Sequence, residues 1–188
     1  MNDESHISYL GHLLLANPNN PKNELAKSVI MLVTHTPNIA VGLQLNNPHE
    51  DLTIGRISKN IGIDHEGESP IYFGGQVNTH KIHILHSLDW RGLSTVELGD
   101  NIGLTNDISV LSAMARNEGP SKFRACAGYW LWESGRLDSE IYNDQIEMNS
   151  YRWELIRATE ELVFDVDPYY QWQTCLEAIA KEKVNQWF

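Results

Sequence analysis

Three of the eight histidines, His80, His83 and His86, recur every third residue. Neutral imidazole is a common metal ligand. On a strand the side chains alternate, so His80 and His86 share one face and His83 takes the other. This run alone therefore does not build a three-histidine site. A two-histidine site completed by an outside carboxylate is the metal chemistry left open, and surface or hydrogen-bonded histidines without metal are the simpler expectation. Cys126 lies in the apolar run Ala125-Cys126-Ala127-Gly128, near Lys122 and Arg124. A reactive thiol needs a positive, partly exposed setting. The apolar run instead predicts a buried small hydrophobe, and Cys175 has the same expectation. Gly74-Gly75 follows an apolar segment and allows a positive φ or a close backbone approach. It reads as an anion nest or, more simply, as a tight turn or bulge. Tyr129, Trp130, Trp132 and Trp153 form an aromatic group suited to a core, a pocket or an interface. Trp132 adjoins the polar turn Glu133-Ser134-Gly135-Arg136, which makes it the candidate for an exposed recognition side chain.

No Walker A, G-x-G-x-x-G, G-x-S-x-G, H-E-x-x-H or paired C-x-x-C occurs. The commonest nucleotide, esterase and zinc architectures are thereby disfavoured, and no catalytic set, metal or cofactor is assigned. Lysine plus arginine number 14 and aspartate plus glutamate 25, a net charge of −11 over 188 residues. Such a surface repels phosphate backbones and anionic membranes unless a local basic patch overrides it. Arg56 with Lys59, Lys122 with Arg124, and Arg152 with Arg157 are only pairs, in no helix-turn-helix pattern, so direct nucleic-acid binding is disfavoured. The two cysteines suit a reducing cytosol, with one bridge between them left open. No signal-like core and no apolar run of roughly 20 residues is present, so the expected location is the cytoplasm, with no membrane span.

The elements that must position these residues are mixed. Residues 1–8 read as a flexible tail and residues 9–188 as one domain. Asn17-Pro18-Asn19-Asn20-Pro21 is a turn. Ser28–Thr36 and Ala40–Leu45 read as strands of an antiparallel hairpin. Thr53 caps a helix carrying Ile54, Ile57 and Ile61, with Gly62 at its exit. Pro70–Phe73, Lys81–His86 and Thr95–Leu98 read as strands. Thr105 or Asn106 is expected to cap a helix with Ile108, Leu111 and Met114 or Ala115 on its apolar face. Phe123–Trp132 is a long apolar and aromatic run. Leu137 and Ile141 suggest a short helix. The last helix takes Asp167 as N-cap and Pro168 as its first residue, and buries Trp172, Cys175 or Leu176, and Ile179. Strands and helices without regular βαβ alternation predict an α+β fold with a largely antiparallel sheet.

Together these segments resemble the AlgH/YqgE family of bacterial proteins. Gly11-His12-Leu13-Leu14-Leu15-Ala16-Asn17-Pro18 is similar to the family's opening G-x-L-L-x-A-x-P, and Ser28-Val29 and His35 match its next strand. Val41 to Pro48 is similar to its G-L-x-x-N-R-P element, and Tyr72-Phe73-Gly74-Gly75-Gln76-Val77 to its Y-x-G-G-P-V. Leu85-His86 and Gly119-Pro120 match an L-H and a G-P. Gly128-Tyr129 with Trp132, Gly135, Leu137 and Glu140 matches G-Y-x-x-W-x-x-G-Q-L-E-x-E. The matches run from about Gly11 to Trp153, and their order and spacing are more specific than any one of them. Asn47 stands in place of the usual arginine, Gln76 in place of proline, Arg136 and Asp138 in place of glutamine and glutamate, and Leu131 in place of a small residue.

The resemblance implies a single α+β domain with a mainly antiparallel, β-barrel-like or sandwich core flanked by helices. It implies no established biochemical activity and carries no catalytic set. Members are often labelled transcriptional regulators. The candidate ligand or partner positions are those at the matched motifs: Asn46, Pro48, Gly74, Gly75, His86, Gly128, Trp132, Gly135 and Glu140. The expected function is that of a non-enzymatic cytoplasmic regulatory or interaction protein. It would bind a protein or small ligand near Gly74-Gly75 and the Trp132 corner. A regulator touching DNA directly is the alternative. A second alternative is an enzyme with an unfamiliar site, using His86 and Glu140 as acid and base.

Overall fold

Val29, Ile30, Met31 and Leu32 are all fully buried, so the strand that carries them is covered on both faces. That explains an apolar run without alternation. The computed structural model describes residues 7–17, 25–142 and 153–185. Its strands are β1 (His12–Ala16), β2 (Val29–Thr36), β3 (Ile39–Gln44), β4 (Pro48–Thr53), β5 (Pro70–Phe73), β6 (Val77–Ser87), β7 (Val96–Gly99), β8 (Ile102–Thr105), β9 (Phe123–Glu133) and β10 (Trp153–Arg157). The helices are α1 (Ile54–Asn60), α2 (Ser109–Ala115), α3 (Arg136–Tyr142) and α4 (Pro168–Asn185), with a π-helical turn over Glu161–Asp165. Residues 1–6 of the expected tail, and Pro18 to Pro21 of the first turn, lie outside the described residues.

The main sheet runs β10-β1-β2-β3-β9-β6-β8-β7, and every neighbouring pair in it is antiparallel. β9 is its spine. One edge pairs with β6 along most of its length, while the other takes β5 in parallel at Ala125 to Ala127 and then β3 at Trp130 to Glu133. The sheet curls until its ends meet. Gly11 packs against the Leu98 carbonyl, Arg157 pairs with Asp100 at 2.7 Å, and Asn101 bonds to Glu160. This is the expected α+β fold, a curled antiparallel half-barrel flanked by helices.

Three apolar clusters follow from that curl. Leu13, Met31, Leu43, Leu85, Ile102 and Cys126 fill the inside with Leu162, Val163, Cys175 and Ile179 from the π turn and α4. The opposite faces of β1 to β3 hold Leu14, Ile30, Leu32 and Ala40 under Leu137 of α3, with Trp132 and Trp153. Ile54 of α1 and Val110, Leu111 and Met114 of α2 cover Ile71, Ile84 and Ala125. Each fully buried leucine or isoleucine contributes about 1.5–3 kcal/mol.

Helix starts follow local chemistry. Thr53 Oγ1 accepts the Arg56 N–H, as expected, and Gly62 leaves with φ +81°. The helix after Thr105 differs from expectation. Thr105 closes β8, Asp107 Oδ1 accepts the Ser109 N–H, and α2 begins at Ser109 with Ile108 exposed. Two turn-forming acceptors in succession delay the helix. The sequence pattern marks no strand at β4, β8 or β10. They are short and mixed in polarity, and long-range pairing makes them strands.

Candidate functional site

The end of β3 and the start of α4 face each other across an open cleft of about 750 Å³. Ser28, Gln44, Asn46 and Asn47 line one side, Tyr169, Tyr170, Trp172 and Gln173 the other, with Lys27 between. Gln44 Nε2 donates to Ser28 Oγ at 3.0 Å, and Gln44 Oε1 accepts from Trp130 Nε1 at 3.4 Å. Asn46 ties the neighbouring segment in place: its Oδ1 accepts the Val29 N–H and its Nδ2 donates to the Lys27 carbonyl. Trp172 is fixed by donation to the Ala16 carbonyl at 2.9 Å. α4 begins where expected, with Asp167 Oδ1 accepting the Tyr169 N–H ahead of Pro168. Of the candidate positions only Asn46 lines this cleft, and the departure Asn47 stands beside it. Pro48 is exposed at the start of β4.

Gly74, Gly75 and Gly128 form a backbone junction. Gly74 N–H donates to the Ala127 carbonyl, its carbonyl accepts the Gln44 N–H, and Gly128 has φ +71°. A Cβ at Gly75 would stand 2.1 Å from the Tyr129 carbonyl carbon. The double glycine is buried where β3, β5 and β9 meet, and there the smallest residue is required for backbone to touch backbone.

Trp132 is 5% exposed, which corrects the expectation of an exposed recognition side chain. The polar turn after it leads into α3, and α3 folds back over the indole. Glu140 Oε2 accepts Trp132 Nε1 at 3.1 Å and Trp153 Nε1 at 2.9 Å, while Arg136 Nε reaches Oε1 at 3.2 Å. The two indoles meet edge to face at 6.0 Å. Gly135 supplies the positive φ of the exposed turn. Beside this cluster His35 Nδ1 accepts the Tyr9 N–H at 2.9 Å. Its remaining proton is therefore on Nε2, which lies 3.5 Å from Asp138 Oδ1.

His86 is fully buried. Its Nδ1 donates to the Ser87 carbonyl at 2.9 Å, and its ring meets Trp90 edge to face. Burial lowers its pKa, so the ring is neutral. His86 pairs with Phe123 at one end of β9, and Glu140 binds Trp132 near the other end. Those strand positions are nine residues apart, at most about 30 Å of extended strand. The structure does not bring the two together as an acid–base pair. His80 is exposed and His83 half-buried, so the three spaced histidines have separate surroundings. Cys126 and Cys175 are free and buried, and burial pushes both thiols up to about 12.

Sequence reasoning missed Gln44, Ser28, Lys27 and Tyr170 as cleft residues. Polar side chains flanking an apolar strand, together with a proline-started helix carrying Tyr169-Tyr170, were the available signals. Their meeting depends on how α4 docks.

A Sphingopyxis alaskensis UPF0301 protein is 31% identical over 173 residues, covering 91% of this chain and 89% of its own. One from Methylococcus capsulatus is 33% identical, covering 93% of each. The solution structure of the AlgH protein of Pseudomonas aeruginosa superposes with a TM-score of 0.73 at 28% identity, over 95% of this chain and 92% of that one. A Corynebacterium diphtheriae crystal structure at 21% identity shares the fold, with a TM-score of 0.66 over 87% of this chain and 85% of that one. The AlgH-like family model matches residues 13–183, and with the half-barrel and its glycine junction in view, the chain belongs to the AlgH-like family.

Proposed function

We propose that this protein is a non-enzymatic cytoplasmic binding protein with a regulatory role, and that the cleft between β3 and α4 is its recognition site. The cleft itself carries this reading. Its volume falls within the about 300–1,000 Å³ of small-molecule sites. Its lining combines carboxamides, hydroxyls and aromatic rings. The distance between His86 and Glu140, each engaged in structural hydrogen bonds, supports binding over acid–base catalysis. Tyr170 and Gln173 are exposed on α4, so Tyr170→Ala with Gln173→Ala leaves the fold intact. In a strain lacking the gene, that double variant is expected to fail to complement. Full complementation would show that the cleft is not the site.

Direct DNA contact is the competing reading, and the charge arrangement weighs against it. Arg91, Arg116, Arg136, Arg157, Lys59, Lys122 and Lys183 each pair with a carboxylate. Basic side chains spent this way make no phosphate-tracking patch. Fluorescence anisotropy with labelled random duplex DNA is expected to show no saturable binding at low salt, where attraction is strongest. Saturable binding that weakens steeply with salt would restore the DNA reading.

A further inference from the structure

The charges around the cleft narrow its ligand, an inference that rests on the cleft being the recognition site. Arg124 is 4% exposed. Its hydrogen bonds go to neutral oxygens: the Leu45 carbonyl at 2.6 Å, Gln171 Oε1 at 3.0 Å and the Val166 carbonyl at 3.4 Å. Its guanidinium lies 4.6 Å from the Tyr72 ring centroid. Among the described ion pairs none includes Arg124. The carboxylate whose field reaches it is Asp167, which is exposed and engaged at the start of α4. Leu45 lies between the lining residues Gln44 and Asn46, and Gln171 between Tyr170 and Trp172. The cation therefore sits directly behind the cleft wall. A buried charge with no ion-pair partner among the described residues is costly, and its field is weakly screened.

The lining adds to that field. Lys27 is the only charged side chain among the described lining residues, with Nζ 5.9 Å from the Trp172 ring centroid. The first turn of α4 adds partial positive charge, which Asp167 offsets in part. Ser28 and Gln44, 2% and 6% exposed, bring an O–H and a carboxamide to the wall. Gln44 and Asn46 each spend one N–H on the protein, on Ser28 Oγ and the Lys27 carbonyl, and each carboxamide has a second. On a chain of net charge −11, the described lining thus carries a cation and no carboxylate.

We infer that the cleft binds a small organic anion, its phosphate or carboxylate group held by Lys27 and the Gln44, Asn46 and Asn47 amides in front of Arg124, and its body resting against Tyr170 and Trp172. The ¹⁵N-labelled full chain is titrated at low ionic strength with inorganic phosphate, pyrophosphate and citrate, and with trehalose as the neutral probe. Saturable amide shifts are expected at Lys27, Ser28, Asn46, Asn47, Tyr169 and Tyr170 with the anions, weakening as potassium chloride is added. The relative strength of pyrophosphate and citrate distinguishes a phosphate-bearing from a carboxylate-bearing ligand. Lys27 has φ +59°, so Lys27→Gly suits the backbone and preserves the fold. It is expected to weaken the anion about tenfold, the loss of one charge-assisted contact. The inference is overturned by any of three results: no saturable shift with all three anions, shifts confined to another face, or unchanged affinity in Lys27→Gly. Saturation by trehalose alone would overturn the anionic assignment while leaving the cleft as the recognition site. Loss of the site itself would instead appear as full complementation by the Tyr170 and Gln173 double variant.

Discussion

A methyl group at Gly75 would meet the backbone of Tyr129 and Trp130, which pair with β6 and β3, and neither can give way without disturbing those pairings. Gly75→Ala is expected to lower stability by about 3 kcal/mol or more, read from urea denaturation. Gly62→Ala is the control, since nothing lies within 4 Å of its added Cβ and the cost is only that of its positive φ, about 1 kcal/mol. Glu140 makes the second residue-scale case. Two indole N–H groups and one arginine converge on a carboxylate that is 9% exposed. Glu140→Ala would remove the acceptor that both indole N–H groups share and is expected to cost about 2–4 kcal/mol. Glu140→Gln keeps an acceptor oxygen and should cost less. Equal losses in the two variants, by thermal melts, would show that packing and not hydrogen bonding fixes the corner.

α4 is held by polar as well as apolar contacts. Gln171 accepts from Arg124 and donates to the Leu162 carbonyl at 2.8 Å, so one carboxamide joins the helix, the π turn and β9. Cys175 and Ile179 supply the apolar side of the same face. Gln171→Ala is expected to cost about 2–3 kcal/mol by leaving a buried cation short of a partner. Amide exchange in α4 should then rise before exchange in β2 and β3 does. Uniform protection across the molecule would show that α4 does not open as a separate unit.

Four groups, His83, His86, Cys126 and Cys175, sit where burial favours the neutral form, and stability should follow pH accordingly. Burial lowers the pKa of His86 and of His83. A lowered histidine value gives stability that is complete above the unfolded value near 6.5 and is lost as pH falls below it. Burial pushes Cys126 and Cys175 from about 9 to about 12. A raised thiol value gives stability that is complete below the unfolded pKa and is lost as pH rises toward the folded one. Denaturation midpoints are therefore expected to plateau between about pH 7 and pH 8.5 and to fall on both sides. Cys126→Ala should flatten the alkaline limb, and an unchanged limb would assign it to other groups. Native protein at pH 8 should also leave both thiols unmodified by a disulfide reagent until it is unfolded.

Much of the fold was determined by local chemistry that the sequence states outright. The doubly buried β2 follows from an unbroken apolar run, α1 from Thr53 and Gly62, and α4 from Asp167-Pro168. The ordered motifs gave the family. The sheet's curl, the meeting of Gly75 with Gly128, and the burial of Trp132 under Glu140 were decided only by the tertiary structure. So was the cleft. Periodicity reports which face of an element is apolar, but not which distant element will cover it. Ser28, Gln44 and Tyr170 are ordinary polar residues until α4 docks and sets them across from one another. Arg124, two residues from a lysine in no recognisable motif, acquires meaning only when Leu45 and Gln171 close around it and remove it from water.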